Sequence, residues 1–311
     1  MDNKNKVLVS PFKYRVCSME CDNTRHSTSY KDITGLRNKK LLKPVDYEIL
    51  RAIYKFKYIN KHNVSTYIKN NLSLSTAIRE SNIENRFSFL TKNGILLRHY
   101  FYWQNDNILE RTPNIYTISK GGLAFLKKMD RLTLNIDKYL ILESPELIFK
   151  KLAFNQLAIN YISKISAITD YKLEVPLKSL NYKTTFTLYG LFYIDYKEQT
   201  IPLVIEPVRK IINWKHELNN RLTLIKDYIV FSTTSKKGVF DVPPIIILLC
   251  EDDTHIKEVH EELLEKSFPS LYVLYTTDIR QMESNLSSSL MSYKKVDDHW
   301  ELIRHNIDFL N

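Results

Sequence analysis

The stretch from Pro44 to Asp130 constrains the fold most, because helical and strand periodicities follow one another in it with only short polar breaks. From Asp46 to Phe56 the apolar residues Ile49, Leu50, Ile53 and Phe56 recur at helical spacing, so one face is built for burial. Pro44 suits the entry to that helix. A short second helix is expected over residues 63–68, on Val64 and Ile68. A third is expected over 75–92, turning Ile78, Ile83, Phe87 and Leu90 inward. Gly94 stops it, since glycine accepts the left-handed conformation at a helix end. Ile95 to Trp103 is rich in strand formers. Residues 104–107 make a polar turn, Ile115 to Ile118 a return strand, and Ser119 to Leu126 opens a closing helix.

Helices followed by a β-hairpin describe a winged helix-turn-helix, whose third helix enters the major groove while the wing flanks the backbone. With Ile83, Phe87 and Leu90 inward, the exposed face would carry Arg79, Asn82, Asn85 and Arg86. Asparagine bonds adenine bidentately and arginine does so with guanine. Lys92, Arg98 and His99 would reach phosphates, and Tyr102 would cover a sugar. Each of these also reads as an ordinary solvated side chain, and winged helices bind proteins as well as DNA.

Charge supports the nucleic-acid reading. Residues 1–130 hold 23 Lys and Arg against 11 Asp and Glu; residues 131–311 hold 22 against 24. Excess cations confined to one half suit a polyanion, because counterion release favours binding. No run reaches the length of a membrane span, and no apolar core follows the first residues, so neither a membrane segment nor a signal peptide is expected. The three cysteines are too sparse for a disulfide framework and fit a reducing cytoplasm. Cys17, Cys21 and His26 lack a fourth zinc ligand nearby. Scarce glycine with abundant Lys, Asn, Ile and Tyr hints at an AT-rich bacterial genome. Residues 1–43 read as a basic, flexible leader whose Lys31, Arg37, Lys39, Lys40 and Lys43 would follow a phosphate backbone. Residues 44–134 are expected to form the winged helix and 135–311 a second domain.

That second half changes grammar. A long helix over 146–168 is expected, then strands at 171–176, 184–195 and 201–209, a helix over 214–231, the apolar strand Ile245–Cys250, a helix over 254–266 and a strand at 271–275. A helix over 278–290 and a tail with Trp300 close the chain. A continuous apolar strand flanked by helices marks a sheet covered on both faces, an α/β domain.

This order is similar to the PD-(D/E)xK nuclease core. With the winged helix, the chain resembles the replication-relaxation family of bacterial mobile elements. The resemblance rests on element order, on Asn85–Leu96, and on Tyr189-Gly190-Leu191-Phe192 followed by Pro202–Arg209. It implies an Asp on the second strand and an acid on the third holding a divalent metal, with a Lys two residues on. Here Tyr189-Gly190 stands where Asp-Gly would sit, Glu206 takes the acidic position, and Val208 replaces the Lys. Glu174 and Asp195 would serve only in a rearranged site. Glu206 reads equally as a structural carboxylate paired with Arg209, Lys210 or Arg221.

The expectation is therefore a two-domain protein, winged helix then a degenerate nuclease-like α/β domain. It would bind double-stranded DNA of a plasmid or other mobile element in replication initiation, copy control or maintenance. The α/β domain would dimerise or recruit a replication-machinery protein, with no cofactor. The alternatives are a nuclease using Mg²⁺ on Glu206 with Asp195 or Glu174, and a transcriptional regulator or protein-interaction module.

Overall fold

The structure, a computed structural model, describes residues 10–14, 17–21, 28–71, 80–103, 114–178, 185–266, 268, 271–282, 286, 288–297 and 299–305. It is a mixed α and β protein with two sheets among the described residues. It divides into two compact units, Arg15–Ile148 and Phe149–Asn311, the latter taking in the N-terminal residues up to Tyr14. The division falls after the expected 134/135 boundary, within a helix. No helix among the described residues is long and apolar enough to cross a membrane.

The N-terminal unit runs β1 (Cys17–Cys21), α1 (Tyr30–Asn38), α2 (Pro44–Phe56), α3 (Lys61–Asn71), α4 (Glu80–Lys92), β2 (Leu96–Trp103), β3 (Ile115–Ile118), α5 (Lys120–Met129) and α6 (Ile136–Leu140). The helical periodicities meet in its core, where Ile49, Ile53, Ile83, Phe87 and Leu90 are all fully buried. Phe87 packs edge-on to Tyr116 of β3 at 4.7 Å. Gly94 takes φ 64° at the end of α4, the left-handed stop its sequence position demands. Between α2 and α3, Ile59 forms an antiparallel bridge to Tyr116.

The expected loose leader is corrected where it is described. β1 pairs antiparallel with β2 from Cys17↔Trp103 to Cys21↔His99, so β2 is the middle strand of a three-stranded sheet, order β1-β2-β3. An open strand edge is satisfied by any chain that supplies a matching row of N–H and C=O groups, and apolar periodicity does not report this. α1 opens with a capping box in which Ser29 and Asp32 cap each other's backbone N–H. It rests on α5: Tyr30 lies 6.3 Å from the Phe125 ring. The backbone of Thr28 approaches so closely that a Cβ on Gly121 would stand 1.7 Å from its carbonyl oxygen. Glycine at 121 thus serves a close approach of two backbones.

The α/β unit runs α7 (Pro145–Lys164), β4 (Ile168–Lys178), β5 (Thr185–Tyr196), β6 (Gln199–Pro207), α8 (Trp214–Ser235), β7 (Ile245–Cys250), α9 (Asp253–Glu265), β8 (Tyr272–Thr277), α10 (Asp278–Met282), β9 (Met291–Val296) and β10 (His299–Arg304). One seven-stranded sheet has the order β10-β9-β8-β7-β6-β5-β4. β4, β5 and β6 form an antiparallel meander, and β6, β7 and β8 are parallel. Parallel neighbours need crossovers, which α8 and α9 supply.

Val204, Ile246 and Leu248 pack with Leu222 and Ile225 of α8 and Ile256 and Val259 of α9. Strand alternation turns Ile205, Ile247 and Leu249 to the other face. Gly190, the cross-strand partner of Ile205, lies on that face, where a Cβ would meet the Phe154 ring of α7 at 2.5 Å. Gly190 is therefore a socket for Phe154. The helix expected over 278–290 is corrected: α10 ends at Met282, and the chain then forms the β9–β10 hairpin.

Candidate nucleic-acid interface

The α4 helix positions the first group of candidate residues. At 100° per residue, Asn85 and Lys92 fall opposite the buried Ile83–Phe87–Leu90 face. Asn82, Asn85 and Lys92 are exposed, as expected for an open helix face, and Glu84 is exposed on one flank of it. Arg79 and the turn at 104–107 lie outside the described residues, as does the Tyr102 side chain.

Arg86 differs from its expectation. Its guanidinium grips Asp46 bidentately, Nε to Oδ1 at 2.8 Å and Nη2 to Oδ2 at 2.6 Å, and also donates to the Leu41 carbonyl at 2.9 Å. Asp46 is 1 % exposed and caps the start of α2, accepting the Lys43 N–H at 2.7 Å. Arg86 therefore ties α4 to the N-terminus of α2, because a carboxylate buried there requires a cation.

His99 is corrected too. It is buried, with Nε2 2.8 Å from Thr117 Oγ1, and burial pulls its imidazole down to about 4. A neutral ring inside a sheet reaches no phosphate. Arg98, on the alternate face of β2, is half-buried.

A second group assembles around a groove of about 440 Å³ between α1 and the end of α4. Lys31 and Lys39 of the supposed leader line it together with Lys92, Asn93 and Gly94. All three lysines are exposed. The acid in the lining, Asp32, is held by Ser29, whose hydroxyl donates to it at 2.6 Å; this bond holds its carboxyl below the usual range. The sequence supplied these lysines individually. Nothing in it indicated that positions 31, 39 and 92 share one groove, because the docking of α1 brings them together.

The nuclease-like positions do not converge. Both oxygens of Glu206 are taken by Arg221 of α8, Nε to Oε1 at 2.9 Å and Nη2 to Oε2 at 2.5 Å. Arg221 also donates to the Thr187 carbonyl at 3.0 Å and lies over the Tyr189 ring at 5.4 Å. Arg209 instead pairs with Asp278, and Lys210 with Glu258. Asp195 accepts from Thr200 Oγ1 at 2.6 Å at the β5–β6 turn. By strand rise it stands roughly 20 Å along the sheet from Glu206. Glu174 pairs with Lys151, two strands from β6. Among the described residues no group of three or more His, Cys, Asp or Glu is placed to hold a metal.

No family model matches the chain, and neither a curated protein nor a solved structure is similar enough to count as a match.

Proposed function

We propose that this protein binds double-stranded DNA through its N-terminal unit, read as a winged helix-turn-helix with α4 as recognition helix and β2–β3 as wing. The observation that carries the reading is the grouping of Lys31, Lys39 and Lys92 around one groove beside the open Asn85 face of α4. Exposed cations beside a helix that presents base-reading amides suit a phosphate backbone next to a groove. The Ile59–Tyr116 bridge adds the short strand contact that a winged helix makes between its first two helices.

The α/β unit, read as an inert PD-(D/E)xK-like domain, would serve as scaffold or partner surface. The pairing of Glu206 with Arg221, which neutralises that carboxylate, supports the inert reading. The resemblance to replication-relaxation proteins supports a role for such a DNA binder in replication or maintenance of a mobile element, in the cytoplasm.

The test is a fluorescence-anisotropy titration of the full chain with a 30-base-pair duplex at two salt concentrations, with Mg²⁺ present. Binding should fall steeply with salt. Lys31→Ala/Lys39→Ala/Lys92→Ala should weaken it roughly a hundredfold and flatten the log–log salt slope by about 0.9 for each phosphate no longer neutralised. Equal binding by wild type and the triple variant sinks the assignment. Cleavage of the duplex that Glu206→Gln abolishes would favour the nuclease reading instead.

A further inference from the structure

We propose that the α/β unit carries a small-molecule site for a neutral, planar aromatic ring, in a cavity framed by α9, β8 and the β9–β10 hairpin. The cavity has a volume of about 480 Å³, within the range of small-ligand sites. Its walls include His260 and Leu264 of α9, Tyr272 and Tyr275 of β8, Tyr293 of β9 and Trp300 of β10. Among the described residues no Lys, Arg, Asp or Glu lines it. A phosphate or carboxylate entering would lose water and find no counter-charge, so the wall selects against ions.

The rings fix one another. His260 is stacked on Tyr293, centroids 3.8 Å apart and planes 9° apart. Trp300 and Tyr275 each meet His260 edge-on, at 5.0 and 5.9 Å. Held in this way, they offer flat faces and edges at little entropic cost, and aromatic guests prefer such offset or edge-on contact. Leu264, Tyr272 and Trp300 are 43 %, 60 % and 43 % exposed. Large apolar side chains are thus left open around one concavity, and a ligand seated there gains by covering them.

His260 is held as part of the wall. His260 is 9 % exposed; its Nδ1 shares a hydrogen bond of 3.0 Å with the Tyr275 hydroxyl. Its Nε2 is shielded from solvent, so the ring meets the cavity through its other atoms. Burial pulls the imidazole down to about 4, so the ring is neutral near pH 7. A planar ring matches these faces and edges, and an alkyl chain does not. This inference stands apart from the DNA reading, since it involves no residue of the N-terminal unit.

The test is calorimetric titration of the full chain with adenosine, indole and quinazoline as neutral rings. AMP and indole-3-acetate serve as charged counterparts and 1-octanol as the aliphatic control. At least one neutral ring should bind saturably, one per chain, more tightly than its charged counterpart and than octanol. Trp300→Ala and Tyr272→Ala, both at exposed positions and so compatible with folding, should weaken that ring about tenfold. Absence of binding by all three rings overturns the proposal. So does octanol or a charged counterpart binding as tightly as the rings, or affinity unchanged in both variants.

Discussion

The two units spend their charged residues in opposite ways. In the α/β unit several of the described charges turn inward. Arg209 is fully buried and its Nη2 reaches Asp278 at 2.6 Å; Glu206 is held by Arg221; buried Lys150 meets Glu217. In the N-terminal unit Asp46 is the one charged side chain buried among the described residues, and the lysines of α1 and α4 face water. A buried ion pair is a weak source of net stability, but losing one member leaves the other stranded. An exposed lysine contributes little to the fold and is free to meet a polyanion. The difference separates a unit that buries several of its charged groups from one whose lysines on α1 and α4 stay in water.

Truncating a pair in each unit probes that contrast with the largest effect. Arg209→Ala should destabilise the α/β unit by about 3–5 kcal/mol, because Asp278 is 1 % exposed and would be stranded without its cation. Denaturant unfolding monitored by segment-resolved hydrogen exchange would read this, and a loss under ~1 kcal/mol would break the comparison. Arg86→Ala should cost the N-terminal unit about 3 kcal/mol, since the buried Asp46 would keep the Lys43 N–H but lose its cation. DNA binding lost by that variant would accompany lost structure. If Arg86→Ala left stability untouched and weakened DNA binding alone, the clamp assigned to Arg86 would be wrong.

Acid sharpens the contrast at a smaller scale. His99 is kept neutral by burial, its pKa lowered to about 4 in the fold. Below its ordinary value of about 6.5 the unfolded chain takes up a proton that the folded chain does not. The N-terminal unit should therefore lose about 1.4 kcal/mol per pH unit as pH falls from 6.5 towards 4. The slope difference between wild type and His99→Gln in urea titrations at pH 7 and 5 isolates this, and identical slopes would refute it. In the α/β unit His255, lowered to about 3, acts in the same sense, while Asp278, raised to about 6 by burial, acts in the opposite one. The smallest effect is expected at Lys210→Ala, where the pair with Glu258 is partly exposed on both sides. It should change stability by less than about 1 kcal/mol, and a loss matching that of Arg209→Ala would erase the distinction between buried and surface pairs.

The sequence by itself determined what repeats locally. Ile49, Ile53 and Phe56, then Ile83, Phe87 and Leu90, announced buried helical faces. Ile245–Cys250 announced a strand covered on both sides, and the charge counts announced two unlike halves. Burial of one face writes a period into the chain, so a window of a dozen residues suffices to read it. Tertiary structure alone decided which polar groups meet. Arg86 finds Asp46 forty positions away and Ser10 donates to Asp278 from the far end of the chain. β1 adds to β2, and the β9–β10 hairpin forms where a helix was expected. Lys31 and Lys39 join Lys92 through the docking of α1 on α5. Such meetings depend on the register and packing of distant elements, and a hydrogen bond or ion pair leaves no periodic trace in the residues that make it.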